Sequence, residues 1–464
     1  MVERVGTGEA AAKPRRSFGF TAVMTYSTNL TVAVVSLVNV LIVSRTLGPA
    51  GRGDVVFLTA IAWLTSSLAT FGIEEANANL AASRPQFRRA LATNSIVFAA
   101  LFCLCMVVVL AGLIAAVPAI GGGSALGPRW LVFCSLPLLI LGIYMKYLAQ
   151  ADYGFGLTNA VWLITPIANV TLNGALALAG VLSVGTAVAT WVGGEVFSTL
   201  VLVWYVKSRL AGFGRPDWDV AKRTLSFGLR SHAGRIMLLG NYRLDQWILG
   251  AVAGSRELGL YSVAVAWSSS LFYLPTTLTA VQRPDLVRAG REEASRKAAF
   301  IFRAALLITF VPALVMIAAA PFLCVTLMGD EFRGSIDDLR VLTLGVFGVV
   351  ALKLLGNAIT AQRKPGLASI AIGIGFVCTI ILDILLIPQF GGLGAAAASE
   401  LAYTLGGVII AVMFVRALGA HPRELLPRPR DVSRLWHEAR GVARRLSRRR
   451  ANADAVKVDP EGGW

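Results

Sequence analysis

Long apolar runs, separated by short clusters of charged residues, dominate this chain of 464 residues. Each run is roughly 20 residues long, the length that an α-helix needs to cross a hydrocarbon core of about 30 Å. Only 15% of the residues are charged and 56% are hydrophobic, whereas soluble chains carry about 25% charged residues. The pattern predicts an all-α polytopic membrane protein. It excludes an ordinary soluble enzyme, a disordered chain and a disulfide-rich secreted domain.

Twelve apolar runs qualify as predicted transmembrane helices. Their approximate limits are 18–43, 55–73, 90–117, 130–150, 158–181, 187–206, 227–250, 259–281, 299–327, 339–361, 367–387 and 394–416. The run 227–250 is the most polar, because it contains Arg230, His232, Arg235, Arg243 and Asp245. We retain it because its removal would break the alternation of charge between the two sides of the membrane.

Lysine and arginine are distributed unevenly between the two sides that these spans define. With the N-terminus inside, 35 of the 43 Lys and Arg residues lie on the inner side and 7 on the outer side. Basic residues are retained on the cytoplasmic side of a membrane protein. The count therefore predicts that both termini are cytoplasmic. It also accounts for most of the net charge of +17, so we expect no nucleic-acid partner.

No segment between the spans is long enough for a folded domain outside the membrane. The predicted organisation is an N-terminal tail 1–17, a first lobe 18–206, a cytoplasmic linker 207–226, a second lobe 227–416 and a basic tail 417–464. In the tail, apolar residues recur every three or four positions between Val432 and Leu446, with arginines between them. This pattern predicts an amphipathic helix on the bilayer surface, in contact with anionic lipid. The alternatives are a solvated tail and a binding segment for glycan assembly or polymerisation proteins.

The two predicted lobes carry similar sequence patterns about 210 residues apart. Asn173 precedes the run Gly185–Thr190, and Asp383 precedes the similar run Gly394–Ser399. A second similarity relates Leu47-Gly48…Gly53 to Leu249-Gly250…Gly259. Six spans per repeat give both copies the same orientation, and parallel repeats around a central cavity are typical of secondary transporters. The alternative is that small residues recur at helix starts because they pack helices in lipid.

Four motifs resemble those of a known family. They are Leu47-Gly48-Pro49-Ala50-Gly51-Arg52-Gly53, the run 242–250 with Arg243 and Asp245, Gly259-Leu260-Tyr261, and the run 387–396 that begins Ile387-Pro388. In this order they are similar to the motifs of bacterial polysaccharide flippases, the oligosaccharide-lipid branch of the multidrug/oligosaccharidyl-lipid/polysaccharide exporter superfamily. The resemblance covers about residues 17–418.

The resemblance implies two parallel-oriented six-helix lobes around a central cavity. It also implies the activity of moving an undecaprenyl-diphosphate-linked oligosaccharide or polysaccharide precursor from the inner to the outer leaflet of the bacterial inner membrane. Many members of that family have fourteen spans, whereas this chain has twelve predicted ones. Two other functions remain open at this stage: a multidrug or cation antiporter of the same superfamily, and a membrane scaffold for glycan assembly that transports nothing.

Ionisable groups inside a span are costly in lipid and usually face a cavity. We predict that Arg243 and Lys353 form a cationic patch for an anionic diphosphate, with Arg45 and Arg52 at the outer mouth. Further candidate substrate contacts are Asp245, Asn29 and Asn357. A structural intramembrane ion pair is the alternative for Arg243 and Asp245.

Three carboxylates, Glu195, Asp383 and Glu400, are candidate coupling sites, because a buried carboxyl group can carry a proton across the membrane. For Asp383, ordinary solvation at the span end is the alternative. We expect Glu74, Glu75 and Asp152 to be solvated at the inner span ends. The chain has no phosphate-binding G-x-x-x-x-G-K-[S/T] motif and no H-E-x-x-H motif, so we expect no cofactor, no metal site and no enzymatic activity.

Overall fold

The computed structural model describes residues 18–116, 126–152, 154–210, 212–428, 430–431 and 433. The regular structure of these residues is entirely helical, and the chain divides into unit 1, Met1–Gly259, and unit 2, Leu260–Trp464. The helices that lie in or begin in unit 1 are α1 Phe18–Leu68, α2 Ile73–Ser83, α3 Arg88–Ala116, α4 Leu126–Ala151, α5 Phe155–Leu178, α6 Val184–Tyr205, α7 Trp218–Val252 and α8 Gly254–Ser269.

Five helices lie wholly in unit 2. They are α9 Tyr273–Arg288, α10 Arg291–Pro321, α11 Ser335–Leu344, α12 Val346–Ala361 and α13 Pro365–Leu418. The division at Gly259 places α7 with unit 1, and the lobe boundaries given above stay a prediction. Apart from Ser433, the predicted amphipathic helix of the tail lies outside the described residues, as does the tail 1–17.

The predicted class of fold, an all-α multi-pass membrane protein, is confirmed. Within the described residues, eight helical segments are long and apolar enough to cross a membrane. Two of them are far too long for one crossing, since α1 has 51 residues and α13 has 54. Each contains a non-helical glycine, Gly48 or Gly391, at the place where the sequence predicts a turn between two spans. The predicted spans 227–250 and 259–281 are helical but more polar than these eight segments.

Glycines in the left-handed region of φ recur at matching places in the two sequence repeats. Gly48 (φ 65°) corresponds to Gly254 (φ 87°), and Gly180 (φ 70°) corresponds to Gly391 (φ 56°). Only glycine adopts such a conformation without steric cost. These φ values favour an alignment of Gly48 with Gly254 instead of Gly250, four residues earlier. Gly250 lies inside helix α7, where a Cβ atom would be 2.4 Å from the ring of Phe57.

The second half of α1 and the first turn of α8 pack backbone against backbone. A Cβ atom on Gly53 would lie 1.7 Å from the carbonyl oxygen of Ser255, and a Cβ atom on Gly259 would lie 1.8 Å from that of Pro49. The contact is reciprocal. Gly53 meets Ser255, four residues before Gly259, and Gly259 meets Pro49, four residues before Gly53. The Ser255 hydroxyl also donates a hydrogen bond to the Asp54 carboxylate. Two glycines of the family-like motifs are thus required by a close approach of helices.

We predict that Gly53→Ala and Gly259→Ala each separate these helices and destabilise the protein by about 1–3 kcal/mol, the usual cost of overpacking a filled site. The control is Gly112→Ala in α3, where a Cβ atom would meet no atom within 4 Å. Thermal unfolding in detergent should give a lower Tm for the first two variants and an unchanged or higher Tm for the control. Equal Tm values for all three variants would contradict the contact.

A buried ion pair joins the start of the tail to helix α10 of unit 2. The Nε atom of Arg303, in α10, donates to Oδ2 of Asp431 at 2.7 Å, and its Nη2 atom donates to Oδ1 at 3.1 Å. Arg303 Nη1 donates to the carbonyl oxygen of Glu424, and the Arg428 amide donates to Asp431 Oδ2 at 2.9 Å. Both charged side chains are about nine-tenths buried. The segment up to Asp431 is therefore held against α10 by a two-pronged contact between charged groups.

The hydrogen bonds from Arg303 lower the pKa of Asp431, and the Arg428 amide acts in the same direction, while burial opposes them. Because the pKa of Asp431 is lower in the folded state, the ion pair contributes its full stabilisation of the fold at pH values above the unfolded pKa of Asp, about 3.9. Its contribution is lost as the pH falls through the lower, folded pKa. We predict that Asp431→Asn destabilises unit 2 by about 3 kcal/mol at neutral pH, since it leaves a buried cation without its partner.

Thermal unfolding at a series of pH values measures this effect. The difference in Tm between the wild type and Asp431→Asn should be constant from pH 8 to 5 and should shrink only below about pH 4. Glu293→Gln, which breaks the half-exposed Glu293–Lys297 ion pair on the same helix, serves as the control and should change Tm little. A difference that disappears between pH 5 and 7 would contradict the assignment to Asp431.

Candidate functional site

Two arginines on different helices of unit 1 lie within electrostatic range of each other. Arg52 belongs to the part of α1 that follows the Gly48 kink, and Arg243 belongs to α7. The Nε atom of Arg52 is buried and has no hydrogen-bond partner. Among the described residues, no carboxylate forms an ion pair with Arg52. We call these two residues the arginine pair.

The side chain of Arg243 is oriented by two neighbours. Its Nη1 atom donates to Oε1 of Gln246 at 2.9 Å, one turn along α7. Its guanidinium carbon lies 5.8 Å from the centre of the Trp63 ring in α1, a cation–π distance. Arg52 is half-buried and Arg243 is exposed. Two like charges within electrostatic range favour an anion beside them, and guanidinium groups match the geometry of phosphate oxygens.

The other predicted residues of α1 and α7 occupy distinct environments. Asp245 is buried, and its Oδ1 atom accepts a hydrogen bond from the Gln246 amide at 2.7 Å. Asn29 is half-buried in the first part of α1, and Arg45 is exposed just before the kink. The structure thus brings Arg52 and Arg243 together, which the sequence had assigned to separate places, the outer mouth and the cationic patch.

Lys353 lies in unit 2, in the middle of α12. The segment that contains it, Ser335–Ala361, is the most buried of the eight candidate spans. Of its apolar stretch of 18 residues, 67% is buried inside the protein. Lys353 itself is half-buried, and within the described residues it has no hydrogen bond or ion pair. Asn357, one turn further, is buried and donates to the carbonyl oxygen of Thr279 in α9 at 3.3 Å. Asn357 therefore holds two helices together beside an unpaired cation.

Glu195, a predicted coupling residue, belongs to a cluster formed by three helices of unit 1. The Thr165 hydroxyl of α5 hydrogen-bonds its carboxylate, and Lys146 of α4 lies within electrostatic range. The Lys146 Nζ atom is 3.6 Å from the centre of the Trp162 ring. The structure thus gathers a carboxylate, an ammonium group and a hydroxyl from three helices inside unit 1.

The two remaining coupling candidates lie in α13, Asp383 before the kink at Gly391 and Glu400 after it. Asp383 is fully buried, so ordinary solvation at a span end does not describe it. Glu400 is half-buried and accepts a hydrogen bond from the Thr404 hydroxyl at 2.9 Å. Asp383 is thus the more strongly desolvated of the two carboxylates.

The expectation that the side chain is solvated is wrong for Glu74 and right for Glu75 and Asp152. Glu74 is fully buried, and its Oε1 atom accepts a hydrogen bond from Thr70 at 3.1 Å. The reason is the tight turn at Phe71 (φ 47°) and Gly72, which directs the first turn of α2 into the core of unit 1. Glu75 is exposed, and Asp152 forms a partly exposed ion pair with Arg88 at 3.0 Å.

A neutral polar network links α1, α5 and α6. Asn173 Nδ2 donates to Asn39 Oδ1 at 2.9 Å, and the Thr190 hydroxyl lies 2.8 Å from Asn173 Oδ1 and 3.4 Å from Asn169 Oδ1. The sequence indicates part of it, since Asn173 stands out in the repeat and Asn39 in a polar stripe of the first span. Hydrogen bonds between such groups hold helices together in lipid. Elsewhere in the described part of the chain, no three His, Cys, Asp or Glu side chains gather as a metal site would require.

A family model described as "Polysaccharide biosynthesis protein" matches residues 42–337, more than half of the chain. The chain belongs to this polysaccharide biosynthesis protein family. The match includes the arginine pair, most of α1 to α10 and three of the four motifs, and it confirms the resemblance to this family; the fourth motif, 387–396, lies beyond it. The matched region ends before α12, so Lys353, Asp383 and Glu400 lie beyond it.

A relative from Haloferax volcanii, named "Probable flippase AglR", is 27% identical over 247 residues. The alignment covers 50% of this chain and 50% of the relative, so the chain spans about half the length of the curated relative that it matches. This partial relationship agrees with membership of the polysaccharide biosynthesis family.

Solved structures of transporters share the fold at low sequence identity. The inward closed structure of lipid II flippase MurJ is 13% identical with a TM-score of 0.69, covering 84% of this chain and 87% of that one. An inward-facing multidrug resistance MATE family transporter of the MOP superfamily is 12% identical with a TM-score of 0.70, covering 86% and 98%. A MOP superfamily transporter from Pyrococcus furiosus, described as having a binding pocket of reversed polarity, is 12% identical with a TM-score of 0.54, covering 87% and 95%. The chain therefore shares the fold of these transporters.

We predict that Arg52→Met raises Tm, because it replaces a half-buried cation, which forms no ion pair among the described residues, by an apolar side chain of similar length. Inorganic pyrophosphate should raise the Tm of the wild type, since a ligand that binds only the folded state stabilises it, and should have no effect on Arg52→Met. The matched control is Arg256→Met at an exposed position of α8, which should keep the response to pyrophosphate. A response that survives in Arg52→Met would contradict an anion site at the arginine pair.

Proposed function

We propose that this protein is a flippase for a lipid-linked glycan: it moves an undecaprenyl-diphosphate-linked oligosaccharide or polysaccharide precursor from the inner to the outer leaflet of a bacterial inner membrane. It does so by alternating access, with both termini in the cytoplasm and without a cofactor or an enzymatic step. The observation that carries the proposal is the arginine pair, because a diphosphate is the anionic part of such a substrate.

The arginine pair performs the binding step. Arg52 and Arg243 provide N–H donors for the diphosphate oxygens, and Gln246 and Trp63 hold the Arg243 guanidinium in position. Lys353 provides a second unpaired cation, in unit 2. A substrate that binds cations in each unit in turn favours the conformations in which it is held, and this preference is what a transport cycle requires. The polyprenyl chain stays in the bilayer.

Energy coupling is assigned to Glu195, with Asp383 and Glu400 as further candidates. Glu195 lies between a hydroxyl and an ammonium group, so its protonation changes the charge of the cluster around Lys146. Protonation of a buried carboxylate alters the packing that its unit prefers. The proposed role of Glu195 is to bias unit 1 between two conformations.

A multidrug exporter is the alternative with the same fold. The similarity to MATE transporters does not favour it, since lipid II flippase MurJ matches about equally well. Exporters of cationic drugs need anionic groups in the binding site, whereas Arg52, Arg243 and Lys353 are cations. The sign of the charge therefore supports a substrate with an anionic headgroup.

The test is a leaflet-accessibility assay in proteoliposomes that contain a fluorescent polyprenyl-diphosphate oligosaccharide. Wild-type protein should transfer the lipid, and Arg52→Gln or Arg243→Gln should lower the rate at least about tenfold, the cost of one lost charge-assisted hydrogen bond. Lys353→Gln should also lower it. Arg256→Gln, at an exposed position outside the arginine pair, is the matched control and should transfer at the wild-type rate.

Two outcomes distinguish the parts of the proposal. Equal rates for the wild type, Arg52→Gln and Arg243→Gln would refute the cationic site. Absence of transfer by the wild type, together with transport of an organic cation in the same vesicles, would identify the multidrug function instead. Glu195→Gln tests coupling separately, because it should abolish the dependence of the rate on a pH gradient and leave substrate binding intact.

A further inference from the structure

A polar cavity of about 620 Å³ lies at the first turns of α3 and α7, outside the site described above. Its lining comes from two short segments, residues 86–90 and 214–219. Both segments adjoin the ends of candidate membrane spans, since one span begins at Pro85 and another ends at Leu210. The cavity therefore lies beside the ends of two candidate spans, where lipid headgroups would surround them.

An exposed tryptophan supports this position. Trp218, the first residue of α7, is 71% exposed on the rim of the cavity. Tryptophan is enriched at the level of the headgroups, where its ring contacts both the apolar and the polar region. The Nζ atom of Lys222 lies 5.6 Å from the centre of the Trp218 ring. This end of α7 therefore presents an aromatic ring and a cation to the membrane interface.

The cavity wall is fixed by paired hydrogen bonds. The Thr93 hydroxyl bonds to both the carbonyl oxygen and the amide of Gly214, each at 3.0 Å. Asn94 Nδ2 donates to the carbonyl oxygen of Asp217 at 2.8 Å, and the Asp217 amide donates to Asn94 Oδ1 at 3.1 Å. The connection between α6 and α7 is thus held rigidly on α3. A cavity built in this way is formed before any ligand arrives.

The lining carries charges of both signs. Arg89 and Arg215 provide two guanidinium groups. The Oδ1 atom of Asp217 accepts hydrogen bonds from the Asp219 and Val220 amides, so this carboxylate caps α7. Asp219 also lines the cavity, and within the described residues neither Arg215 nor Asp219 forms an ion pair. The cavity therefore offers two guanidinium groups together with a carboxylate, Asp219, that forms no ion pair within the described residues.

We propose that this cavity binds the headgroup of a phosphoethanolamine lipid from the adjacent leaflet. The phosphate lies against Arg89 and Arg215, and the ammonium group lies against the Asp219 carboxylate. A purely anionic headgroup meets repulsion from Asp219, and a trimethylammonium group has no N–H to donate to it. Charge complementarity thus selects a zwitterion with a primary amine, and its binding secures the α6–α7 connection to the membrane.

The experiment is native mass spectrometry of the full-length protein with lipids of identical acyl chains. Phosphatidylethanolamine should bind about fivefold more tightly than phosphatidylglycerol or phosphatidylcholine, the size expected of one partly exposed ion pair. Asp219→Asn should remove the preference for phosphatidylethanolamine over phosphatidylglycerol, and Arg215→Gln should weaken the binding of both lipids. Arg223→Gln, exposed on α7 and outside the lining, is the matched control and should keep the wild-type order.

Three results would overturn the proposal. One is wild-type protein that binds phosphatidylglycerol as tightly as phosphatidylethanolamine. Another is an unchanged preference in Asp219→Asn, which would place the selective site elsewhere. The third is soluble phosphoethanolamine that binds as tightly as the lipid, which would identify a water-soluble ligand. Both variants change exposed side chains, and a Tm equal to that of the wild type verifies that they fold.

Discussion

Hydrocarbon offers no hydrogen bond, and this constraint governs every level of the structure. It requires the backbone to be helical within the membrane, so all the described regular structure is α-helix, 3-10 helix or π-helix. It also requires that polar side chains find partners inside the protein, as Asn39, Asn173 and Thr190 do. Against this background, a buried polar group that has no partner becomes informative, and the Nε atom of Arg52 is one.

Much of the fold could be predicted from the sequence because its determinants are local. Apolar length defines the spans, and the kinks at Gly48 and Gly391 stand where Gly and Pro interrupt long apolar runs. The reciprocal contact of Gly53 and Gly259 could not be predicted, since their sequence marks them as small but does not say what approaches them. The repeat stays a prediction, and the φ values of Gly48 and Gly254 favour an alignment one helical turn away from Gly250.

The site shows the same division between local and non-local information. Composition and position identified Arg243 and Lys353 as unusual, because a cation within a span needs an explanation, and Arg52 was expected only at the outer mouth. Their partners depend on contacts between distant segments. The sequence could not reveal that α1 places Arg52 in the field of Arg243, nor that the turn at Phe71 buries Glu74. Isolated charges are thus recognisable in a membrane sequence, whereas their pairing is not.

The ion pair between Arg303 and Asp431 joins residues that are far apart in the chain. During synthesis, α10 enters the membrane long before Asp431 leaves the ribosome. Arg303 therefore has no Asp431 carboxylate to pair with while α11, α12 and α13 are being inserted. The packing of unit 2 is therefore completed only when the start of the tail has been translated, and a chain that stops after α13 carries a buried cation that quality-control proteases can recognise as unfinished.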